Sequence, residues 1–325
     1  HSFECNIPFD VVFDEEVEWV KLKETKSEDG QFKMVFELQP NTGEFFNRTK
    51  LRLENEVLGL SFPLSLSQMY KTYDGHTVIW KKPTYNDPFA SVPNFPRITF
   101  NFILIGDGFT KEEIESGVYD LYCQEAMEGM ESLEPFKTYS ERFGFILLHA
   151  ESAESGCTDY NATYGGPKVV DTRFKCSYDE FGTGMNCDYT AIQEFVKTSI
   201  EGAGLDYIPT QDVVIVMANG KRYGGVANLT KSGEGVAICP VSEEPFPNNF
   251  VQILRHEAGG HAFGKLADEY SFGGPIDAST ASYLKSWQEA GMYLNVSMSS
   301  TEFPKPWQEL KDRGKISDVY VGGFS

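Results

Sequence analysis

Hydrophobic and polar positions alternate, or run as short apolar blocks, at residues 11–13, 19–22, 32–38, 50–53 and 60–66, with polar turns between them. A period of two marks half-buried strands, and short strands at this spacing predict an all-β sandwich over residues 1–69. The pattern then stops. Pro83, Pro88 and Pro93, interleaved with Asn, Asp and Tyr, predict a turn-rich join over residues 70–95. From residue 96 the pattern changes class. Residues 98–105 read as a buried strand and Gly106-Asp107-Gly108 as its exit. Thr110-Lys111-Glu112-Glu113 reads as a capping box opening a helix to about residue 133, with Ile114, Val118 and Leu121 toward a sheet. A strand at 143–148, a helix capped by Asp188 with Ile192, Phe195, Val196 and Ile200 along one side, and a strand at 212–218 continue the alternation. That order predicts a mostly parallel sheet with helices on its faces. Two short strands, at 223–227 and 233–239, and a helix near 281–290 complete the reading.

The 325 residues, 41% hydrophobic and 14% aromatic, suffice for one large or two ordinary domains with real cores. No run of about 18 apolar residues predicts a membrane span. No signal peptide stands at His1, and a start without Met predicts a processed product. A formal charge of −20 with no Lys/Arg cluster argues against nucleic acid or anionic membrane as a partner. Six cysteines without a Cys-x-x-Cys pair argue against a zinc knuckle. Cys157, Cys176 and Cys187 share one loop-rich segment, where one disulfide of open pairing or buried free thiols are the alternatives. Asn47, Asn161, Asn228 and Asn295 each begin an Asn-x-Ser/Thr triplet and read as chance or structure. The Gly-x-Gly turn lacks the third glycine of a nucleotide loop and sets Asp107 where a phosphate would approach, so that reading is rejected. Asp171, Asp179 and Glu180 match no calcium-loop spacing and read as solvated charges.

The chemistry concentrates in His256-Glu257-Ala258-Gly259-Gly260-His261, which holds two of only five histidines with a carboxylate directly after the first. Zinc-hydrolase helices place two histidines four apart, so that both imidazoles reach one metal while the Glu between them acts on water. Here the spacing is five. At about 100° per residue, five steps leave two side chains roughly 140° apart on an α-helix, too far round to share an ion. A π-type turn restores the common face, and the poor helix formers Gly259-Gly260 are where it is expected. Gly264 can turn the chain after the second His. Asp268 then offers an oxygen ligand, completing a His-His-carboxylate set with one open position.

His256-Glu257, His261 and Leu266-Ala267-Asp268-Glu269-Tyr270, together with Gly106-Asp107-Gly108-Phe109-Thr110 and Tyr223-Gly224-Gly225, resemble the IgA peptidase family of zinc metalloendopeptidases over residues 96–325. That family ordinarily shows His-Glu-x-x-His, so this chain departs from it by one residue. The resemblance implies a metzincin-like α/β peptidase domain, with zinc on His256, His261 and Asp268 and Glu257 as general base. Dipeptidyl peptidase III, a zinc exopeptidase of another fold, has the same five-residue spacing. The resemblance also leads to expecting a further C-terminal stretch with helices and a Met-bearing turn. Tyr223 and Tyr270 are candidate hydrogen-bond donors to the tetrahedral oxyanion, and one short strand before the helix is the candidate edge on which extended substrate pairs. His149 is the other candidate third ligand and reads instead as a rim or core residue.

Trp19-Val20, residues 48–53 and residues 62–68 resemble the Bacteroidetes-associated carbohydrate-binding, often N-terminal (BACON) module. That resemblance implies an immunoglobulin-like sandwich in front of a secreted enzyme, with Phe45-Phe46, Tyr70 or Tyr73 available to stack on sugar; a spacer role is the favoured alternative. The function expected is a secreted zinc endopeptidase acting on protein or glycoprotein, such as immunoglobulin A or mucin. A binding protein disabled by the extra residue and a zinc exopeptidase are the rivals.

Overall fold

The structure, a computed structural model, describes residues 2–4, 9–28, 31–39, 47–68, 77–88, 97–161, 163, 166–180, 182–268, 277–297 and 305–314. The chain forms two compact units, His1–Tyr73 with Val78–Lys81 and Asp74–Thr77 with Lys82–Ser325.

The first unit consists of β1 (Ser2–Glu4), β2 (Asp10–Phe13), β3 (Val20–Glu28), β4 (Gln31–Leu38), β5 (Asn47–Asn55) and β6 (Leu60–Gln68). They make two antiparallel sheets, ordered β1-β4-β3 and β2-β5-β6. Alternation sets which side is buried: Phe32 and Met34 of β4 meet Leu51 and Leu53 of β5 in one core with Phe9, while Lys33, Lys50 and Arg52 face outward. The five predicted runs are strands, and β1 adds one whose three residues carry too little pattern to read. The described strands define paired antiparallel sheets. Phe45, Phe46, Tyr70 and Tyr73 lie outside the described residues. Within the predicted join lies a strand, β7 (Thr77–Lys81), whose β-branched and aromatic run overrides its proline-rich surroundings.

The second unit contains β8 (Phe100–Asp107), β9 (Phe143–Leu148), the two-residue strands β10 (Thr158–Asp159), β11 (Ser177–Tyr178) and β12 (Met185–Asn186), then β13 (Val213–Ala218), β14 (Val226–Leu229) and β15 (Gly235–Pro240). The order β14-β15-β13-β8-β9 runs across its sheet, parallel from β15 to β9, with β14 antiparallel on the edge. The inner strands are buried almost throughout, as a parallel sheet covered on both faces requires.

The capping box forms as expected, Thr110 Oγ1 accepting from the Glu113 N–H and Glu113 Oε2 from the Thr110 N–H. The helix behind it does not run to residue 133 in one piece. It stops as α1 (Lys111–Glu115) and restarts as α2 (Val118–Glu131), because Gly117 adopts φ +82°. The break rotates the buried face onto Tyr119, Cys123, Ala126, Met127 and Met130 and turns Val118 and Leu121 outward, correcting the expectation that they face the sheet. Helix α3 (Tyr189–Gly202) is capped by Asp188 and buries Ile192, Val196 and Ile200.

The long polar segment before α3 is held by one buried carboxylate. Asp107, at the end of β8, accepts from Thr172 Oγ1 (2.7 Å) and from the N–H groups of Phe174 (2.7 Å) and Cys176 (2.9 Å). Burial pushes the Asp107 carboxyl up from its usual range, against the pull of these bonds. Cys176 and Cys187 form the disulfide, while Cys123, Cys157 and Cys239 are buried free thiols.

Candidate active site

Helix α4 (Phe250–Leu254), capped by the Asn249 side chain on the Gln252 N–H, continues into a π-helix over Arg255–Phe263. With i→i+5 bonding, the residue five on, not four, returns over the same face. His256 and His261 therefore meet, ring centroids 4.6 Å and Nε2 atoms 3.2 Å apart. The apolar side follows the same period: Ile253 and Ala258 are buried, and Phe263 packs its ring 5.2–5.9 Å from Phe100, Phe102, Phe136 and Phe143. One π turn was expected, and nine residues adopt it. A Cβ at Gly259 or Gly260 would meet nothing nearer than 3.4 Å, so these glycines serve by weak α-helical preference rather than by space. Gly264 is different, since a Cβ there would lie 2.7 Å from Gly260 O; the left-handed turn itself falls on Lys265, φ +55°.

That turn brings Asp268 back onto the helix. Its Oδ1 lies 3.3 Å from His256 Nε2 and 3.2 Å from His261 Nε2, and no other His/Cys/Asp/Glu group of this kind occurs among the described residues. Three such atoms this close repel unless a proton or a cation lies among them. A tetrahedral ion with bonds of about 2.0–2.1 Å has ligand–ligand edges of about 3.3–3.4 Å, so the three residues fit a small divalent metal. His261 Nδ1–H donates to Leu266 O (2.7 Å), which fixes the ring with Nε2 aimed at the centre. His256 titrates below its ordinary range, first through burial and then through His261, against the opposing pull of Asp268.

Asn295, read from sequence only as a triplet, grips the residue before Asp268. Its Oδ1 accepts from the Ala267 N–H and its Nδ2 donates to Ala267 O, both at 2.8 Å. Asn295→Ala is therefore expected to weaken metal binding by about 10–100-fold, measured by competition with a chromophoric chelator. A loss below threefold would dismiss the role.

Glu257 stands outside the triangle and faces Gly225, where a Cβ would lie 2.9 Å from its Oε1. Burial raises its carboxyl to about 7; His261 opposes the rise and Asp268 adds to it. The cleft beside it, about 380 Å³, has β14 residues Val226 and Leu229 on one wall and Tyr283, Leu284 and Tyr293 on the other. Tyr283 and Leu284 belong to α5 (Ala278–Glu289). Tyr293, at φ +55°, donates its N–H to Lys265 O (2.8 Å) and stacks on Trp287 at 5.1 Å. Burial, then its bond to Tyr283, raises its phenol well above the usual value, so it stays a neutral donor.

Of the predicted site residues, His256, His261, Asp268 and Glu257 come together in this cleft. Tyr223 is not in its lining; it sits at the turn before β14, with its N–H on Glu244 Oε1. Tyr270 lies outside the described residues. His149, directly after β9, is buried with its Nε2 3.1 Å from Asp120 Oδ1 of α2, away from the triangle as expected. Tyr283, Tyr293 and Asn295 were missed as site residues: their polar, weakly periodic surroundings carry no motif that marks them. Helix α6 (Lys305–Asp312) follows them in the chain.

Two helix-borne histidines, a carboxylate closing a metal-sized triangle and a buried glutamate beside it, on a mixed α/β unit, are the groups a metallopeptidase would need in one place. The chain belongs to the IgA peptidase M64 family, whose sequence profile matches residues 90–315. The match covers every residue of the site and lies outside most of the first unit, so it does not bear on the resemblance to BACON modules. No curated protein matches the chain at a significant level.

Proposed function

We propose that this peptidase is a zinc endopeptidase of secreted glycoproteins, immunoglobulin A and mucins among them. The observation that carries the reading is the donor triangle of His256, His261 and Asp268 with Glu257 beside it in an aromatic-walled cleft. Zinc, when bound there, supplies Lewis acidity toward a carbonyl and toward water. Glu257 accepts the proton of the attacking water and returns it to the leaving amine, a task suited to a carboxyl raised to about 7. Tyr293, its phenol held neutral, and Tyr283 offer hydroxyls to the developing oxyanion; Tyr270 is proposed beside them on its sequence position alone, and Tyr223 is assigned to the turn. The edge strand β14 offers its outer side to an extended substrate, which would pair through its main chain. The Cys176–Cys187 disulfide supports a place outside the cytosol. The first unit is assigned as a spacer, with glycan contact secondary.

Incubating the zinc-loaded chain with denatured immunoglobulin A and with mucin, and reading the new termini by mass spectrometry, should reveal internal cuts. Stepwise trimming from one terminus would make it an exopeptidase. Stoichiometric zinc with no cut in any protein would leave a binding protein.

A further inference from the structure

The segment 220–225, which leads into β14 and presses on Glu257, is held from behind by a side-chain cluster that the reaction does not use. Arg222 lies at its centre. Its guanidinium sits 3.7 Å over the Tyr178 ring and donates through Nε and Nη2 to Asp159 Oδ2 (2.7 Å) and Oδ1 (3.2 Å). Nη1 donates to Gly182 O and Tyr223 O, each at 3.2 Å, and Tyr178 Oη donates to Arg222 O (2.8 Å). The Arg222 side chain is only 11% exposed, so this bidentate, stacked ion pair is largely shielded from water and its geometry is defined.

The far side of the cluster is cross-linked. Tyr178 and Met185 pair across the β11–β12 hairpin, and the disulfide joins Cys176, just before β11, to Cys187, just after β12. The near side fits without slack. Gly220 and Gly224 both abut the Tyr178 ring, and a Cβ at Gly224 would meet Thr183 O at 2.7 Å. The Gly225 N–H donates to Thr183 O (3.0 Å), and the opposite side of Gly225, at φ +153°, rests on Glu257 and Ile253. The hairpin, the 220–225 turn and the carboxylate are thus stacked in one line of contacts, with Arg222 tying the first two together.

We propose that Arg222 is a positioning residue for the general base: by fixing the Gly224-Gly225 turn to the hairpin, it holds Glu257 at its working geometry. The proposal rests on the assignment of Glu257 as base. A displacement of about 1 Å at a reacting group costs on the order of 10²-fold in rate, whereas the metal triangle, built on other contacts, is left alone.

The test is steady-state cleavage of a quenched peptide by zinc-loaded Arg222→Ala, with metal content and Tm measured on the same preparation. The expected result is a kcat lower by about 10–100-fold, with KM within about twofold, one zinc per chain and Tm within about 5 °C of native. An unchanged kcat overturns the proposal, and so does a loss of rate matched by loss of zinc or of folded protein. Should Arg222→Ala fail to fold, Tyr178→Phe removes only the bond to Arg222 O, and a kcat at least threefold lower with KM unchanged is expected; native kcat in that variant overturns the proposal. Glu257→Gln in the same assay separates the two readings. Native-like activity there rejects Glu257 as base, whereas its loss beside an unaffected Arg222→Ala rejects only the positioning role.

Discussion

Replacing Glu257 with Gln is expected to lower kcat by about 10²–10⁴-fold with the metal still bound. Gln has the shape of Glu and fits the same space against Gly225, so packing is preserved. What goes is the proton acceptor. Burial already holds the native carboxyl near 7, where it can both take and release a proton close to neutrality. Because Glu257 is outside the triangle of His256, His261 and Asp268, metal content should stay at one ion per chain. Peptide cleavage and elemental analysis of the same preparation decide the matter, and activity within tenfold of native would remove Glu257 from the mechanism.

His261→Ala should produce the complementary result: metal lost, and activity lost with it. His261 is the more enclosed of the two imidazoles, its side chain 14% exposed against 47% for His256, and its ring is pinned by the Leu266 carbonyl. Without it two ligands remain, and Leu266 O loses its donor. Metal affinity is expected to fall by at least about 10²-fold, more than the change expected from loss of an outer contact such as Asn295. His149→Ala is the control. Its partner is the buried Asp120, so metal content should not change, and depletion in that variant would mean the wrong set of ligands has been assigned.

The site was legible where chemistry and spacing coincide. A step of five from one histidine to the next, spanning a glycine pair, already called for a π turn, and the capping box at Thr110 was readable from four residues. Positions decided by the surrounding fold were not. Ile114, Val118 and Leu121 kept helical spacing across Gly117, and only the left-handed conformation there shows that the pattern belongs to two helices. Asn295 read as a triplet of chance or structure because its partner, Ala267, lies 28 residues away. Tyr223 stood next to the informative glycines, yet those glycines take the turn and its ring is left off the cleft wall.

The π-helix has a consequence for how such sites are found. Its two ends are fastened independently, Ile253 and Leu254 in the core at one end and Phe263 among four phenylalanines at the other. An added residue between those anchors is absorbed as extra winding rather than as extra length. The same triangle of donors is therefore compatible with two lengths of chain: an α-helical His-Glu-x-x-His and a π-helical His-Glu-x-x-x-His. A text search written for the shorter string passes over the longer one, whereas a search for three donor atoms about 3.2 Å apart recovers both.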